Sequence, residues 1–176
     1  MIFAETNRFI LRAIEPRDVE GMFLLDSDPR VHTYLGNNPI ESKDQAQAII
    51  EAVRKQYTER GIGRWAVEWK DNGAFVGWTG LKHEIDSNFR PPHYDLGFRL
   101  RPEYWGKGIA YESGLIALNY GFNELKLDQI CAAADQSNIG SNKVLKKLGF
   151  HWKEDFFYGE ISCHWYEIHP NQTRRH

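Results

Sequence analysis

A chain of 176 residues with 41% hydrophobic and 26% charged side chains has the length and composition of one globular domain with a sizeable core. Its formal net charge of -2, from 22 basic and 24 acidic side chains, argues against a general nucleic-acid or anionic-membrane surface. The N-terminus does not read as a signal peptide, and no run approaches the roughly 20 apolar residues of a membrane span. We therefore expect a cytoplasmic protein that forms a single domain over residues 1–176.

The hydrophobic pattern predicts one mixed α/β domain with a central sheet, because strand-like and helix-like segments alternate along the chain. A capping box at Ser42 and Gln45 opens the longest helix, and Gly61 ends it. Cys131 and Cys163 lie in apolar strand-like runs and are interpreted as packed free thiols, without the ligand cluster of a metal site. Strands are predicted over 8–14, 64–70, 74–85, 93–100, 129–134, 151–158 and 161–169. Helices are predicted after Pro16, over 42–61, after Gly108 and, beyond a loop with Asn138, through 144–148 with Gly149 as the C-cap. A polar tail is predicted from Asn171.

Residues 94–113 stand out, because they pass from a predicted strand through Gly106 and Gly108 directly into a helical pattern. A loop of this kind leaves backbone N–H groups without partners at the positive end of a helix dipole, so it predicts an anion site. Tight-turn chemistry explains two close glycines equally well, so this loop alone does not identify a ligand.

Three blocks of sequence together resemble the GNAT superfamily of acetyl-CoA-dependent N-acetyltransferases, and within it the ribosomal-protein N-terminal acetyltransferase-like (RimJ/RimL-like) branch. The blocks are residues 6–12 with 28–31, residues 96–110 and residues 138–150, and the resemblance spans nearly the whole chain. It implies a central, mostly antiparallel, twisted sheet of about seven strands flanked by about four helices. It also implies a V-shaped splay between the fourth predicted strand, 93–100, and the fifth, 129–134.

The resemblance implies acetyl-CoA as co-substrate and no metal. The family's pyrophosphate loop falls on residues 105–110, where Trp105 replaces the usual Gln or Arg. Backbone N–H groups of residues 106–110 would hold the pyrophosphate, the backbone of residues 98–100 would pair with the pantetheine arm, and Asn138 would bond a pantetheine amide. Asn138 would otherwise open the last helix as an Asx turn. The cofactor-binding residues so implied are Phe98, Arg99, Leu100, Trp105, Gly106, Lys107, Gly108, Ile109, Ala110 and Asn138.

Acetyl transfer needs a neutral amine, a polarised thioester carbonyl and a protonated leaving thiolate. Asp95 lies where some family members carry a catalytic glutamate and is the first candidate for the general base, with Glu84 and Glu160 as rivals and a bridging surface carboxylate as the alternative. The tyrosine that many family members use as general acid corresponds to Leu145, so it is absent. The RimL-like branch has a serine that matches Ser141, which equally fits a helix cap.

The acceptor pocket is predicted from residues 31–34, the loop 86–92 and the hairpin 156–161. Their aromatic side chains suit an apolar or peptide-like amine, although such rings also fill ordinary cores. A protein or peptide N-terminus is the first expectation, and a small-molecule amine (amino acid, polyamine or antibiotic) or a non-catalytic acyl-CoA-binding module are the alternatives. A strongly acidic groove would favour polyamines or aminoglycosides. The expected partners are the amine and a second copy of the chain in a homodimer, without nucleic acid or membrane.

Overall fold

The computed structural model describes residues 1–170, so the predicted polar tail from Asn171 lies outside the described residues. Within residues 1–170 there is one sheet of eight strands in the order β1-β2-β3-β4-β5-β6-β8-β7. The strands are β1 (Ile2–Glu5), β2 (Phe9–Ala13), β3 (Trp65–Trp69), β4 (Phe75–Glu84), β5 (His93–Leu100), β6 (Ile130–Asp135), β7 (His151–Tyr158) and β8 (Ile161–Ile168). The helices are α1 (Val19–Asp26), α2 (Lys43–Arg60), α3 (Ile109–Asn123) and α4 (Ile139–Leu148), with short 3-10 turns at Pro16–Asp18 and Pro102–Tyr104.

The sheet has one strand more than the expected seven, and that strand is β1. Its four residues pair antiparallel with β2 and are interrupted by a bulge between Ile2 and Ala4. Four residues are too few to show a clear period, so the hydrophobic pattern gave no signal for this strand. Phe3 nevertheless packs on the core, with its ring stacked on that of Trp65 at a centroid distance of 4.7 Å.

The predicted splay is present where β5 meets β6. These two strands run parallel and pair at a single position, Asp95 with Cys131, whereas β6 pairs with β8 along its whole length from Ile130 to Asp135. Beyond Asp95 the two strands separate, so the backbone of β5 from Leu96 to Leu100 has an unpaired edge on that side. The mixed α/β sheet with a V-shaped opening is therefore confirmed.

Helices cover both faces of the sheet and form two apolar layers. The larger layer, with Leu96, Leu100 and Leu118 among its buried members, lies between the sheet and helices α3 and α4. The small-residue face of α3 allows a close approach there, because a Cβ on Gly121 would lie 2.7 Å from Ile130 and Leu81. The second layer, with Met22 of α1 among its members, lies under α1 and α2. Among residues 1–170, no helix has the length and apolarity that a membrane crossing needs.

Candidate active site

A cavity of about 830 Å³ occupies the opening between β5 and β6. Asp95, Ser141 and all ten predicted cofactor-binding residues lie in its wall. One end, the α3-side mouth, is lined by residues 104–111 and by residues 138–141, Val144 and Leu145 of the last helix and its start. The other end, the α1-side mouth, is lined by Arg30, Val31, Tyr34, Leu35, Arg64, Trp78, Asp95, Arg99, Phe156, Tyr158 and Ile161.

The glycine loop forms the α3-side mouth through left-handed backbone at both glycines, with φ of +69° at Gly106 and +75° at Gly108. Gly108 is the N-cap of α3, and because it has no side chain it cannot bond the first N–H groups of that helix. The space beside the loop is open, since a Cβ on Gly106 would meet nothing within 4 Å among the described residues. The loop therefore has the conformation of an anion site at a helix start.

Two side chains hold the glycine loop in place, and the sequence analysis identified neither role. The Trp105 indole N–H donates to the Leu100 carbonyl oxygen at 2.8 Å, which ties the loop to the end of β5. Arg8, just before β2, donates to the Lys107 carbonyl oxygen at 2.7 Å and forms an ion pair with Glu112 of α3. The substitution of Trp for the usual Gln or Arg at position 105 thus replaces a polar residue by a loop anchor.

Asn138 and Ser141 lie together at the start of α4. The Asn138 side-chain oxygen accepts from the Ser141 backbone N–H at 3.1 Å, so Asn138 caps the helix. Its carboxamide NH2 group remains available to the cavity. Ser141 is not the cap, which corrects the alternative role considered for it, and it lies in the cavity wall.

Asp95 lies at the α1-side mouth, where it is paired with Arg64. One Asp95 carboxylate oxygen accepts from Arg64 Nη2, and the Asp95 carbonyl oxygen accepts from Arg64 Nη1 at 2.7 Å. Arg64 reaches Asp95 by crossing Gly97, where a Cβ would lie 2.7 Å from Nη2. Asp95 keeps its second carboxylate oxygen for the cavity.

The rival carboxylates are placed differently. Among the residues the structure describes, neither Glu84 nor Glu160 lines the cavity. Burial tends to raise the pKa of Glu84, but the Lys82 ammonium, 2.6 Å away, outweighs it and lowers that pKa below its usual value. Geometry therefore favours Asp95 among the three.

Arg64, Trp78 and Arg99 form a group at the α1-side mouth that we call the arginine–tryptophan platform. The guanidinium carbons of Arg64 and Arg99 lie 5.2 and 5.1 Å from the centre of the Trp78 ring. Arg99 is opposite Trp78 in the β4–β5 register and bonds Asp26 of α1 at 2.8 Å. From the sequence, Arg99 was predicted to contribute only its backbone, and no pattern indicated Arg64 or Trp78. Their strand alternation placed them on one face, but nothing in the pattern linked α1 to that face.

Two of the three segments predicted for the acceptor pocket line the α1-side mouth. Val31 and Tyr34 line it, as do Phe156, Tyr158 and Ile161 of the β7–β8 hairpin. The loop 86–92 is a correction, because none of its residues lines the cavity. It supports the hairpin from outside, with the Phe89 ring 5.4 Å from that of Tyr158.

The two cysteines are free and buried, as predicted. Burial raises the pKa of Cys131 to about 12 and also raises the pKa of Cys163, which lines the cavity. Both are therefore neutral thiols near pH 7. Within residues 1–170, no three His, Cys, Asp or Glu side chains are grouped as metal ligands.

The sequence model of the family described as Acetyltransferase (GNAT) domain matches residues 8–151, which include β5, the glycine loop and α4. This chain belongs to the GNAT acetyltransferase family. The predicted superfamily is thereby confirmed, and so is the class of enzyme, an N-acetyltransferase that moves an acetyl group to an amine. The chain is 34% identical over 146 residues to Uncharacterized N-acetyltransferase YoaA of Bacillus subtilis (strain 168), covering 83% of this chain and 81% of the relative.

Solved structures agree with this GNAT acetyltransferase in fold. Ribosomal-protein-S5-alanine acetyltransferase from Vibrio fischeri matches with a TM-score of 0.78 at 19% identity, over 99% of this chain and 100% of the other. Spermidine N-acetyltransferase from Vibrio cholerae, in complex with CoA and spermine, matches with a TM-score of 0.75 at 23% identity, over 95% and 98% of the two chains. The two proteins are named for different acceptors, a ribosomal protein in the first case and spermidine in the second.

Proposed function

We propose that this GNAT acetyltransferase moves the acetyl group of acetyl-CoA directly to the N-terminal amine of a protein or peptide, as in the RimJ/RimL-like branch. The observation that carries the proposal is the single cavity that joins the glycine loop to the α1-side mouth through the opening between β5 and β6. Two substrates that enter from opposite mouths meet beside Asp95, so a direct transfer needs no enzyme-bound intermediate.

The residues of the α3-side mouth fit coenzyme A. The backbone N–H groups of residues 106–110 suit the pyrophosphate, because left-handed glycines and an uncapped helix start direct several donors to one point. The unpaired edge of residues 98–100 suits the amides of the pantetheine arm. The free NH2 group of Asn138 suits a pantetheine carbonyl while its oxygen caps α4.

The catalytic roles assigned to Asp95 and Ser141 follow from their places in the wall. Asp95 accepts a proton from the acceptor amine through its free carboxylate oxygen, directly or through one water. The Ser141 hydroxyl donates a proton to the thiolate that leaves when the thioester C–S bond breaks and regains one from water, while Asp95 releases the proton of the amine to water. When bound, the thioester supplies an activated carbonyl, and the protein supplies position and proton transfer.

The α1-side mouth favours a peptide over a polyamine. Its side chains include the exposed aromatic Tyr158 and the arginines Arg30, Arg64 and Arg99, so it is not the strongly acidic groove that a polycation would need. Tyr34 and the hairpin residues Phe156, Tyr158 and Ile161 give this mouth an apolar wall that suits the residues following an N-terminal amine. This supports the acceptor type named for the Vibrio fischeri structure rather than spermidine.

A turnover screen tests the proposal by following the free thiol released from acetyl-CoA. The acceptors are peptides with varied N-termini, the same peptides with a blocked N-terminus, and small amines that include spermidine, amino acids and an aminoglycoside. We expect turnover with free but not blocked N-termini. Faster turnover of small amines contradicts the peptide assignment, whereas coenzyme A binding without turnover on any amine indicates a non-catalytic binding module.

The single domain over residues 1–176, the cytoplasmic location and the homodimer remain predictions. Sedimentation of the purified chain with and without coenzyme A measures the oligomeric state directly.

A further inference from the structure

The geometry points to a more specific acceptor: an amine that carries a carboxylate close to its nitrogen, with that carboxylate bound by Arg99. This inference rests on the proposed function and narrows its substrate class. The carboxylate belongs either to an acidic residue at a peptide N-terminus or to a free amino acid, two sources of the same chemistry.

Arg99 presents an open hydrogen-bonding edge to the cavity. Its side chain is 26% exposed, lies in the wall of the α1-side mouth, and uses Nη1 to bond Asp26 Oδ1 at 2.8 Å. Among the described residues, neither Nε nor Nη2 of Arg99 has a hydrogen-bond partner. Two parallel N–H donors on one edge of a guanidinium match the two oxygens of a carboxylate.

The other two arginines of the α1-side mouth already donate most of their hydrogen bonds to groups of the protein. Arg64 donates to the Gly80 carbonyl oxygen, to the Asp95 carbonyl oxygen and to the Asp95 carboxylate. Arg30 is 67% exposed and binds Asp28 through both Nε, at 3.1 Å, and Nη2, at 2.7 Å. Arg99 alone among them keeps two adjacent donors for a ligand.

Asp26 holds the Arg99 guanidinium in position from beneath. Its side chain is 1% exposed, and its second oxygen, Oδ2, has no hydrogen-bond partner within the described part of the chain. His32 Nε2 lies 4.0 Å from Oδ1 and also lacks a partner there. A buried ion pair gives little net stability because desolvation offsets its attraction. What the pair does provide is a fixed orientation of Arg99 beside Trp78.

The charges at the mouth select against a polycation. The carboxylate exposed there, Asp95, is neutralised by Arg64, and Asp26 lies below the surface. Asp135, farther along the wall, accepts from the Ser137 backbone and hydroxyl at 2.8 and 2.6 Å. A neighbouring guanidinium also disfavours the protonated form of an amine, and the neutral form is the one that attacks the thioester.

Matched acceptors test this inference on the unmodified protein. Three peptides that differ only in an N-terminal Glu, Gln or Lys separate charge from size, and leucine with leucinamide tests a free α-carboxylate in the same way. We expect kcat/KM to favour the carboxylate over its amide isostere by about tenfold or more in one of the two sets, since a charge-assisted hydrogen bond supplies that much. The set that shows the preference identifies the source. A Lys peptide or spermidine that exceeds every acidic acceptor overturns the inference.

An Arg99→Lys variant tests the residue. The lysine keeps a cation for Asp26, so the variant retains its buried partner, but it loses the two-donor edge. The preference for Glu over Gln should fall at least fivefold, and because both peptides are measured on the same variant, any change in its basal turnover cancels in this ratio. Arg60→Lys is the matched control, because Arg60 likewise bonds one carboxylate, Asp86, at 2.7 Å but does not line the cavity among the described residues.

Direct binding separates this inference from the proposed function. The affinity of the Glu and Gln peptides for the coenzyme A-loaded protein is measured by calorimetry without turnover. If the Glu peptide binds more tightly than the Gln peptide and Arg99→Lys abolishes this difference, the inference is supported even where the assay detects no release of free thiol. An unchanged preference in Arg99→Lys overturns it and leaves the proposed function standing.

Discussion

At the residue scale, the chemistry of the site depends on how Asp95 is held. Arg64 bonds one of its carboxylate oxygens and passes close over Gly97 to do so, where a Cβ would lie 2.7 Å from Nη2. The pair fixes the direction of the free oxygen and keeps Asp95 from rotating towards solvent. Asp95 is thus both the proposed base and part of an ordered pair.

Asp95→Asn should lower kcat by about a hundredfold or more near pH 7, the usual contribution of a positioned general base. Asparagine still offers an oxygen to Arg64, so the platform keeps its shape and KM changes little. The loss should shrink as pH rises towards about 8, where an α-amine deprotonates without help. Thiol release measured from pH 6 to 9 gives the profile.

Glu84→Gln is the control for Asp95→Asn, because Glu84 lies on neighbouring β4, bonds Lys82 and is outside the cavity wall within residues 1–170. It should retain full activity. Near-normal kcat/KM in Asp95→Asn over the whole pH range would eliminate Asp95 as the base.

At the element scale, the β5-to-α3 connection combines a short 3-10 turn, two left-handed glycines and a helix whose N-cap has no side chain. Gly108→Ala isolates the backbone conformation from packing, since among residues 1–170 the added Cβ would come near only Arg8, at 3.9 Å. Alanine with φ near +75° costs roughly 1–2 kcal/mol. Partial relaxation of the free loop relieves part of this cost, and binding must restore the left-handed conformation, so the Kd for coenzyme A should rise by up to roughly tenfold.

Gly73→Ala provides a matched comparison in the β3–β4 turn. Gly73 also has positive φ, +68°, and a Cβ there meets nothing within 4 Å. Both variants should lose similar thermal stability, but only Gly108→Ala should bind coenzyme A more weakly by calorimetry. Equal coenzyme A affinity in the two variants would contradict the assignment of the pyrophosphate to this loop.

The elements that the sequence predicted well are those with local signals. The capping box of α2 is present, with Ser42 Oγ accepting from the Gln45 N–H at 3.3 Å, and Gly61 ends that helix in the left-handed region. The glycine loop is equally local, since its conformation depends on residues adjacent in sequence. The family resemblance added the opening between β5 and β6, which no local pattern contains.

The parts that the sequence did not predict depend on contacts between distant segments. Arg99 meets Asp26 across 73 positions, and Arg64 meets Asp95 across 31. Hydrophobic periodicity assigns each of these residues to a strand or helix face, but it cannot say which faces meet. The arginine–tryptophan platform therefore became visible only when α1 was seen on the same face of the sheet as β4 and β5.

At the scale of the whole molecule, Tyr57 connects α2 to both the end of β2 and the start of β3. Its hydroxyl accepts from the Ile14 backbone N–H at 3.0 Å and donates to the Arg64 carbonyl oxygen. Gly63 makes room for the ring, because a Cβ there would lie 2.8 Å from it. Tyr57 therefore couples the packing of α2 to the backbone of Arg64 in the site.

The same residue makes the stability of the fold depend on pH at the alkaline end. Burial raises the pKa of Tyr57 to about 12, against the opposing effects of the Ile14 N–H and the Arg54 charge. An unfolded tyrosine has a pKa of about 10, so the folded state holds its proton to higher pH. This contribution to stability is complete below about pH 10 and is lost as pH rises from about 10 to 12, because the unfolded chain then releases the proton more readily.

Tyr57→Phe should show this dependence in urea unfolding between pH 8 and 11.5. At pH 8 the variant should be less stable by about 1–3 kcal/mol, since it loses two hydrogen bonds and leaves buried backbone groups unpaired. Above pH 10 the difference should narrow, by up to about 1.4 kcal/mol per pH unit, because only the wild type must ionise Tyr57 on unfolding. Groups common to both proteins, such as Tyr166 and Cys131 with their raised pKa values, cancel in the difference. Tyr158 lies exposed in the β7–β8 hairpin, so the free energy of unfolding of Tyr158→Phe should change with pH as that of the wild type does. A constant difference in this free energy between Tyr57→Phe and the wild type from pH 8 to 11.5 would contradict the prediction, since it would show that Tyr57 ionises equally readily in the folded and unfolded states.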